Sequence, residues 1–158
     1  MIIDSHTHVD RFGWYDPPET IIRLMDEAGV DQSIIMTYGD APDVEGALEY
    51  IAEAVHKYPD RLIGYARMNP RRGERAQRLF RKAIEEYGFK GLKLHPVGSL
   101  SHPGSPDTIE MIRLAARYGA PTLFHCGDEE FTLPLQIAQA AAACPEATII
   151  LGHAGGYF

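Results

Sequence analysis

Two histidines, His6 and His8, stand two residues apart at the end of the short apolar run Met1–Asp4. Along a strand, side chains return to the same face every second residue. Both rings should therefore project from one face, and Asp4 should share it. Their Cβ atoms would lie about 6–7 Å apart along the strand, and two imidazoles can converge on one ion at about 2.0–2.1 Å per bond. The pattern recurs. His125 lies in LFHCG, His153 in ILGHAGG, and Lys93 and His95 in GLKLHP, again two apart. Of the seven histidines in 158 residues, five fall at the ends of apolar runs. That clustering points to metal ligation or proton transfer by imidazole rather than to scattered surface polarity.

The elements that position these residues read as strand and helix in alternation. Strands are expected at the N-terminus, at Gln32–Tyr38, Leu62–Met68, Phe89–His95, Ala120–Cys126 and Ala147–His153. Helices are expected between them. Asp16 should cap the first, with Pro17 at its first position, Glu19 completing a capping box and Gly29 stopping it. The others should span Asp43–Tyr58, Gly73–Tyr87, Pro106–Tyr118 and Thr132–Cys144. Such alternation means parallel βαβ units. The repeat averages about 29 residues, so eight units would need about 230, the size of a (β/α)8 barrel. The fold class is therefore α/β, either a (β/α)8 TIM-barrel type that is incomplete, with about six strands and five helices, or an open sheet of its own topology. Chemistry in parallel barrels sits at strand C-termini, where these histidines fall.

Composition excludes several functions. Hydrophobic residues make up 45% and charged residues 23%, and the formal charge is −7. An acidic chain is a poor partner for nucleic acid. The basic stretch Arg71–Lys82 reads as a solvated helix face, with i,i+4 pairs at Glu74–Arg78, Arg81–Glu85 and Lys82–Glu86. No apolar run is long enough to span a membrane, and no signal peptide is evident. Two cysteines, Cys126 and Cys144, are too few for a disulfide framework. A reducing, cytoplasmic setting is the expectation. The Gly-, Ser- and Pro-rich loop His95–Pro106 is a candidate lid. His56 and His102 read as surface residues, Asp128, Glu129 and Glu130 as exposed acids, and Phe12, Trp14 and Tyr15 as a packed loop rim.

The motifs DSHTH, GLKLHP, FHCG and ILGHAGG, in that order, resemble the amidohydrolase superfamily. More narrowly, they are similar to its amidohydrolase-related branch, which includes the aminocarboxymuconate-semialdehyde decarboxylase group. The resemblance covers the whole chain, and the LGHAGG ending is its most specific part. It implies that His6, His8 and His125 are metal ligands, and that His153 polarises substrate or moves protons. It places Lys93 on the strand that carries a bridging carboxylated lysine in binuclear members; holding a substrate carboxylate is the other role open to Lys93, with His95 beside it. The family's remaining ligand is an aspartate ending strand eight, and no residue of this chain matches it. The chain reads as one domain over 1–158, the N-terminal portion of a metal-dependent hydrolase-type barrel.

The expected cofactor is a divalent metal, Zn²⁺ first and Mn²⁺ second. The expected reaction is hydrolysis of a C–N or C–O bond in a small carboxylate-bearing substrate by metal-activated water. Non-oxidative decarboxylation at the same site and a catalytically inactive truncated barrel are the alternatives. A metal-dependent deoxyribonuclease would want an acidic ligand where Lys93 stands. The expected partner is a small molecule, with neither nucleic acid nor membrane, and a homo-oligomer is compatible with the sequence.

Overall fold

The computed structural model describes residues 1–37, 41–127 and 132–156. Six parallel strands lie side by side in chain order: β1 Ile3–His8, β2 Gln32–Met36, β3 Leu62–Arg67, β4 Gly91–Leu94, β5 Thr122–Phe124 and β6 Ile149–Leu151. The crossover helices are α1 Pro18–Ala28, α2 Val44–Lys57, α3 Glu74–Glu85, α5 Pro106–Arg117 and α6 Pro134–Ala143; a single turn, α4 Pro96–Ser99, follows β4. The strict 1-to-6 order of a curled sheet is that of a partial (β/α) barrel. No helix among the described residues is long and apolar enough to cross a membrane.

Two apolar layers hold the sheet. The larger lies between its outer face and the helices, around Ile35, Ile51, Phe80, Leu92, Ile112 and Phe124, all fully buried. The smaller, around Met36, Tyr65 and Leu123, fills the inner face. Gly91 is part of that inner packing. A Cβ there would meet the Tyr65 ring at 2.3–2.6 Å, so the missing side chain makes room for the aromatic one.

Helix ends follow the sequence with one exception. Asp43 caps α2 through the Gly46 N–H at 3.0 Å, and Gly29 closes α1 in the left-handed conformation. Asp16 does not cap α1. Pro17 is the N-cap, Pro18 takes the first position, and no side chain caps the end. A proline at N1 removes one of the donors a cap would satisfy.

The expected pairs along α3 are realised in part. Glu74–Arg78 forms at 3.8 Å. Glu86 lies beyond the helix end, so Lys82 instead reaches Glu49 at 3.8 Å and Glu45 at 4.0 Å on α2. Glu85 accepts from the Tyr118 hydroxyl. The segment after β4 is ordered. It contains the α4 turn and a hydroxyl network, Ser101 to Thr108 at 2.9 Å and to Ser105 at 3.2 Å, with Ser99 and Ser101 buried.

Candidate active site at the strand C-termini

Strand register decides which side chains meet. His8 pairs with Met36, Ile34 with Ile63, Arg67 with Lys93, Lys93 with Leu123, and Leu123 with Ile150. Every second residue shares a face. His6, His8, Arg67, Lys93, His95 and His125 therefore lie on the inner face at one end of the sheet. β1 carries a bulge. Asp4 pairs with Ser33 and Thr7 with Ile35, so three steps on β1 match two on β2. The extra residue reverses the alternation.

Asp4 consequently lies on the opposite face from the histidines, contrary to the plain period-two expectation. Its carboxylate accepts from the Thr7 hydroxyl at 2.8 Å and from the His6 N–H at 3.0 Å. Thr7 in turn touches the Ser33 hydroxyl at 2.8 Å. These bonds pin the bulge that aims His6 and His8 inward.

The imidazoles form one contiguous group. Ring centroids are 5.0 Å apart for His6 and His8, 4.7 Å for His6 and His153, and 4.7 Å for His125 and His153. His95 stacks on His125 at 3.9 Å with planes 6° apart. Lys93 Nζ lies 2.9 Å from His6 Nε2, and His153 Nε2 lies 3.1 Å from His125 Nδ1. His95 Nδ1 accepts from the Gly98 N–H at 3.0 Å, which fixes the ring that His125 leans on. His153 reaches the group through an unusual backbone. It and Ala154 have φ of 52° and 51°, a left-handed pair without glycine. Strain of this kind concentrates where a side chain must be aimed.

Burial sets the charge state. Lys93 is fully buried, and desolvation, aided by the neighbouring Arg67 charge, pulls its pKa down to about 7. Burial and the Lys93 charge lower His6 to about 3 and His8 to about 4. Burial and Arg67 lower His95 to about 3. Three of the rings are thus neutral at neutral pH and keep a lone pair, as metal ligation requires.

Does this donor set fit a divalent ion? Two imidazoles bound to one ion at about 2.0–2.1 Å would hold their centroids about 4.5–5.2 Å apart. The His6–His8 spacing falls in that range, and His125 joins this pair through the His153 ring, which lies 4.7 Å from both His6 and His125. His8 Nδ1 lies 3.1 Å from the Thr37 carbonyl oxygen. A carbonyl only accepts, so Nδ1 carries the proton and the lone pair sits on Nε2. Metal-binding histidines are oriented in this way. Among the described residues no three His, Cys, Asp or Glu side chains already stand in metal-holding positions. His6 Nε2 faces Lys93 and His125 Nδ1 faces His153, and an ion would exchange those contacts for its own. The residues fit.

Other sequence expectations fall outside the group. His56 and His102 are exposed. Asp128, Glu129 and Glu130 lie outside the described residues. Phe12, Trp14 and Tyr15 are solvent-exposed, yet the Phe12 and Trp14 rings contact each other at 5.9 Å and the Tyr15 ring comes within 5.7 Å of His8. Their loop is held by Asp10, whose Oδ1 accepts from the N–H groups of Phe12, Gly13 and Trp14 at 2.6, 2.8 and 3.3 Å. Asp10→Ala removes all three acceptor contacts of a buried carboxylate. It is expected to lower stability by about 2–3 kcal/mol, read as a drop in the urea midpoint.

A sheet of this order, with its titratable groups gathered at the strand C-termini, is the architecture of the (β/α)8 enzymes. The chain belongs to the amidohydrolase family, whose model matches residues 3–158. No curated protein sequence matches it. Among solved structures it is similar to 2,6-dihydroxybenzoate decarboxylase from Rhizobium (TM-score 0.69, 18% identity, 98% of this chain and 66% of that one). It is also similar to 4-oxalomesaconate hydratase from Rhodopseudomonas palustris (0.71, 17%, 99% and 64%). A third is dihydroxybenzoic acid decarboxylase from Polaromonas sp. JS666, with bound manganese and the inhibitor 2-nitroresorcinol (0.71, 19%, 98% and 65%). The chain thus spans about two thirds of the length of these proteins.

Proposed function

We propose that the strand-end histidines bind a divalent metal and that the site acts on a small carboxylate-bearing molecule. The observation carrying this reading is the continuous imidazole group from His6 and His8 to His153 and His125 at one end of the sheet. His6, His8 and His125 would hold the ion. The all-nitrogen donor set suits Zn²⁺, while the manganese in the Polaromonas decarboxylase favours Mn²⁺. Bound there, the metal would supply a Lewis acid and a water of lowered pKa.

The chain's own groups do the rest. His153, the most exposed of the imidazoles, moves a proton to or from the substrate at a ring nitrogen. Lys93 and Arg67 place positive charge beside an anionic substrate. His95 and Thr37 orient His125 and His8. Hydrolysis of a C–N or C–O bond is one use of this set. Non-oxidative decarboxylation is the second, and the names of two solved relatives favour it.

The test separates ligand from proton carrier. His125→Ala is expected to reduce bound metal by at least about 100-fold in affinity, read by titration with Zn²⁺ and Mn²⁺. His153→Ala should keep metal and lose turnover of a panel of aromatic and unsaturated carboxylates. Evolved CO₂ against a hydrolysed product distinguishes the two chemistries. Unchanged metal affinity in His125→Ala would overturn the ligand assignment.

A further inference from the structure

Beside the histidine group lies a second feature, which shares Arg67 and Thr37 with it and whose other arginines the proposed chemistry does not use. A cavity of about 170 Å³ opens between Thr37, Ala41, Pro42 and Val44 on one side and residues from Arg67 to Leu79 on the other. A cavity of about 150 Å³ can hold a benzene-sized molecule, so this one has room for a small anion or for one end of a larger substrate. Its wall includes Thr37, Val44, Arg67, Asn69, Arg72 and Arg75. Three guanidinium groups line it, and no lining residue is acidic. In a chain of net charge −7 that local excess of positive charge runs against the average.

The surrounding backbone adds to it. The N-terminal turn of α3 forms part of the wall through Arg75 and Ala76, and no side chain caps that helix end. Helix N-termini favour anions. Two acids flank the cavity without lining it: Asp43, held by Arg11 at 2.6 Å and by the Gly46 N–H and near enough to Arg75 to feel its charge, and Glu74 in the first turn of α3, whose carboxylate turns to Arg78 at 3.8 Å. Among the described residues neither Arg72 nor Arg75 forms an ion pair within 4.0 Å. Arg67 is buried and paired in register with Lys93, so it reaches both the cavity and the histidine end of the sheet. Thr37 also joins the two, lining the cavity while its carbonyl fixes His8.

We propose that this cavity is an oxyanion subsite, in which Arg67, Arg72 and Arg75 hold a carboxylate or phosphate at the end of the substrate remote from the histidines. The substrate class is then a small molecule with two anionic groups, or one anionic group distal to the bond that reacts. This rests on reading the histidine group as the reactive centre.

Calorimetric titration of the full chain with succinate, with succinamide and with inorganic phosphate tests it. Succinate or phosphate should bind, and the tighter of the two identifies carboxylate or phosphate as the preferred group. Succinamide, of the same length and uncharged, should not bind. Arg72→Gln/Arg75→Gln should weaken the preferred anion at least tenfold, and these exposed positions leave folding intact, checked by thermal unfolding. Arg78→Gln, on the same helix but outside the cavity, should leave anion affinity within twofold. Equal binding of succinamide, no binding of either anion, or an equal loss in Arg78→Gln would overturn the subsite. His6→Ala/His8→Ala should keep anion binding and Arg72→Gln/Arg75→Gln should keep metal, so failure of the subsite and failure of the metal centre give different patterns.

Discussion

His6→Ala/His8→Ala should purify without stoichiometric divalent metal, and it should not regain any on dialysis against Zn²⁺ or Mn²⁺. The two rings come from one strand, and the Asp4–Thr7–Ser33 bonds hold the bulge that points both inward. Removing both deletes most of the ligand set, including His8, whose tautomer the Thr37 carbonyl fixes. Losing only a group that hydrogen-bonds and orients a ligand costs about 10–100-fold in affinity; losing two ligands should cost far more. Elemental analysis of the purified variant reads the result directly. The fold should persist, because neither ring belongs to the apolar layers. Full metal occupancy in the double variant would remove the basis for the proposed chemistry.

The alternation of strands and helices was legible because its local signals are strong. Gly29 and Asp43 end and begin helices through backbone geometry and a single hydrogen bond, both set within a few residues. Strand ends were less legible. Phe89–His95 shortens to Gly91–Leu94 and Ala147–His153 to Ile149–Leu151. At the C-terminal pole the chains splay out of the ladder to deliver His95 and His153, and an apolar run does not record where pairing stops.

The site was partly legible for the same reason. Strand-end position and spacing found the histidines and Lys93. The bulge that turned Asp4 away depends on β1 pairing with β2, a non-local fact. Arg67 was missed although it ends β3 at the same pole; a single arginine in GYARM carries no spacing motif. Arg72 and Arg75 stand in a stretch whose composition is that of a solvated basic face. Only the placement of Thr37, Ala41 and Pro42 beside the start of α3 shows that the two arginines line a cavity.

Lys93→Met should make the metal-free protein more stable while abolishing turnover. Lys93 is fully exposed to the cost of burial: no part of it reaches solvent, its hydrogen-bond partner is the neutral His6 ring, and Arg67 is its register neighbour. Among the described residues no carboxylate pairs with it. Replacing a buried charge with an apolar side chain of similar length should contribute about 1–4 kcal/mol. The sign with pH follows from the shift. The folded pKa is about 7 against 10.5 for the ordinary side chain. Between those values the unfolded chain binds more protons than the folded one, so wild-type stability rises with pH across that window. Below about 7 the penalty is present in full. The advantage of the variant should therefore be largest at pH 6 and should shrink towards pH 10, read from urea unfolding at both. A variant that is less stable at pH 6, or an advantage that does not change with pH, would mean that the lysine is accommodated rather than tolerated. A stabilising substitution that destroys activity is the expected mark of a cation kept in the core for chemistry.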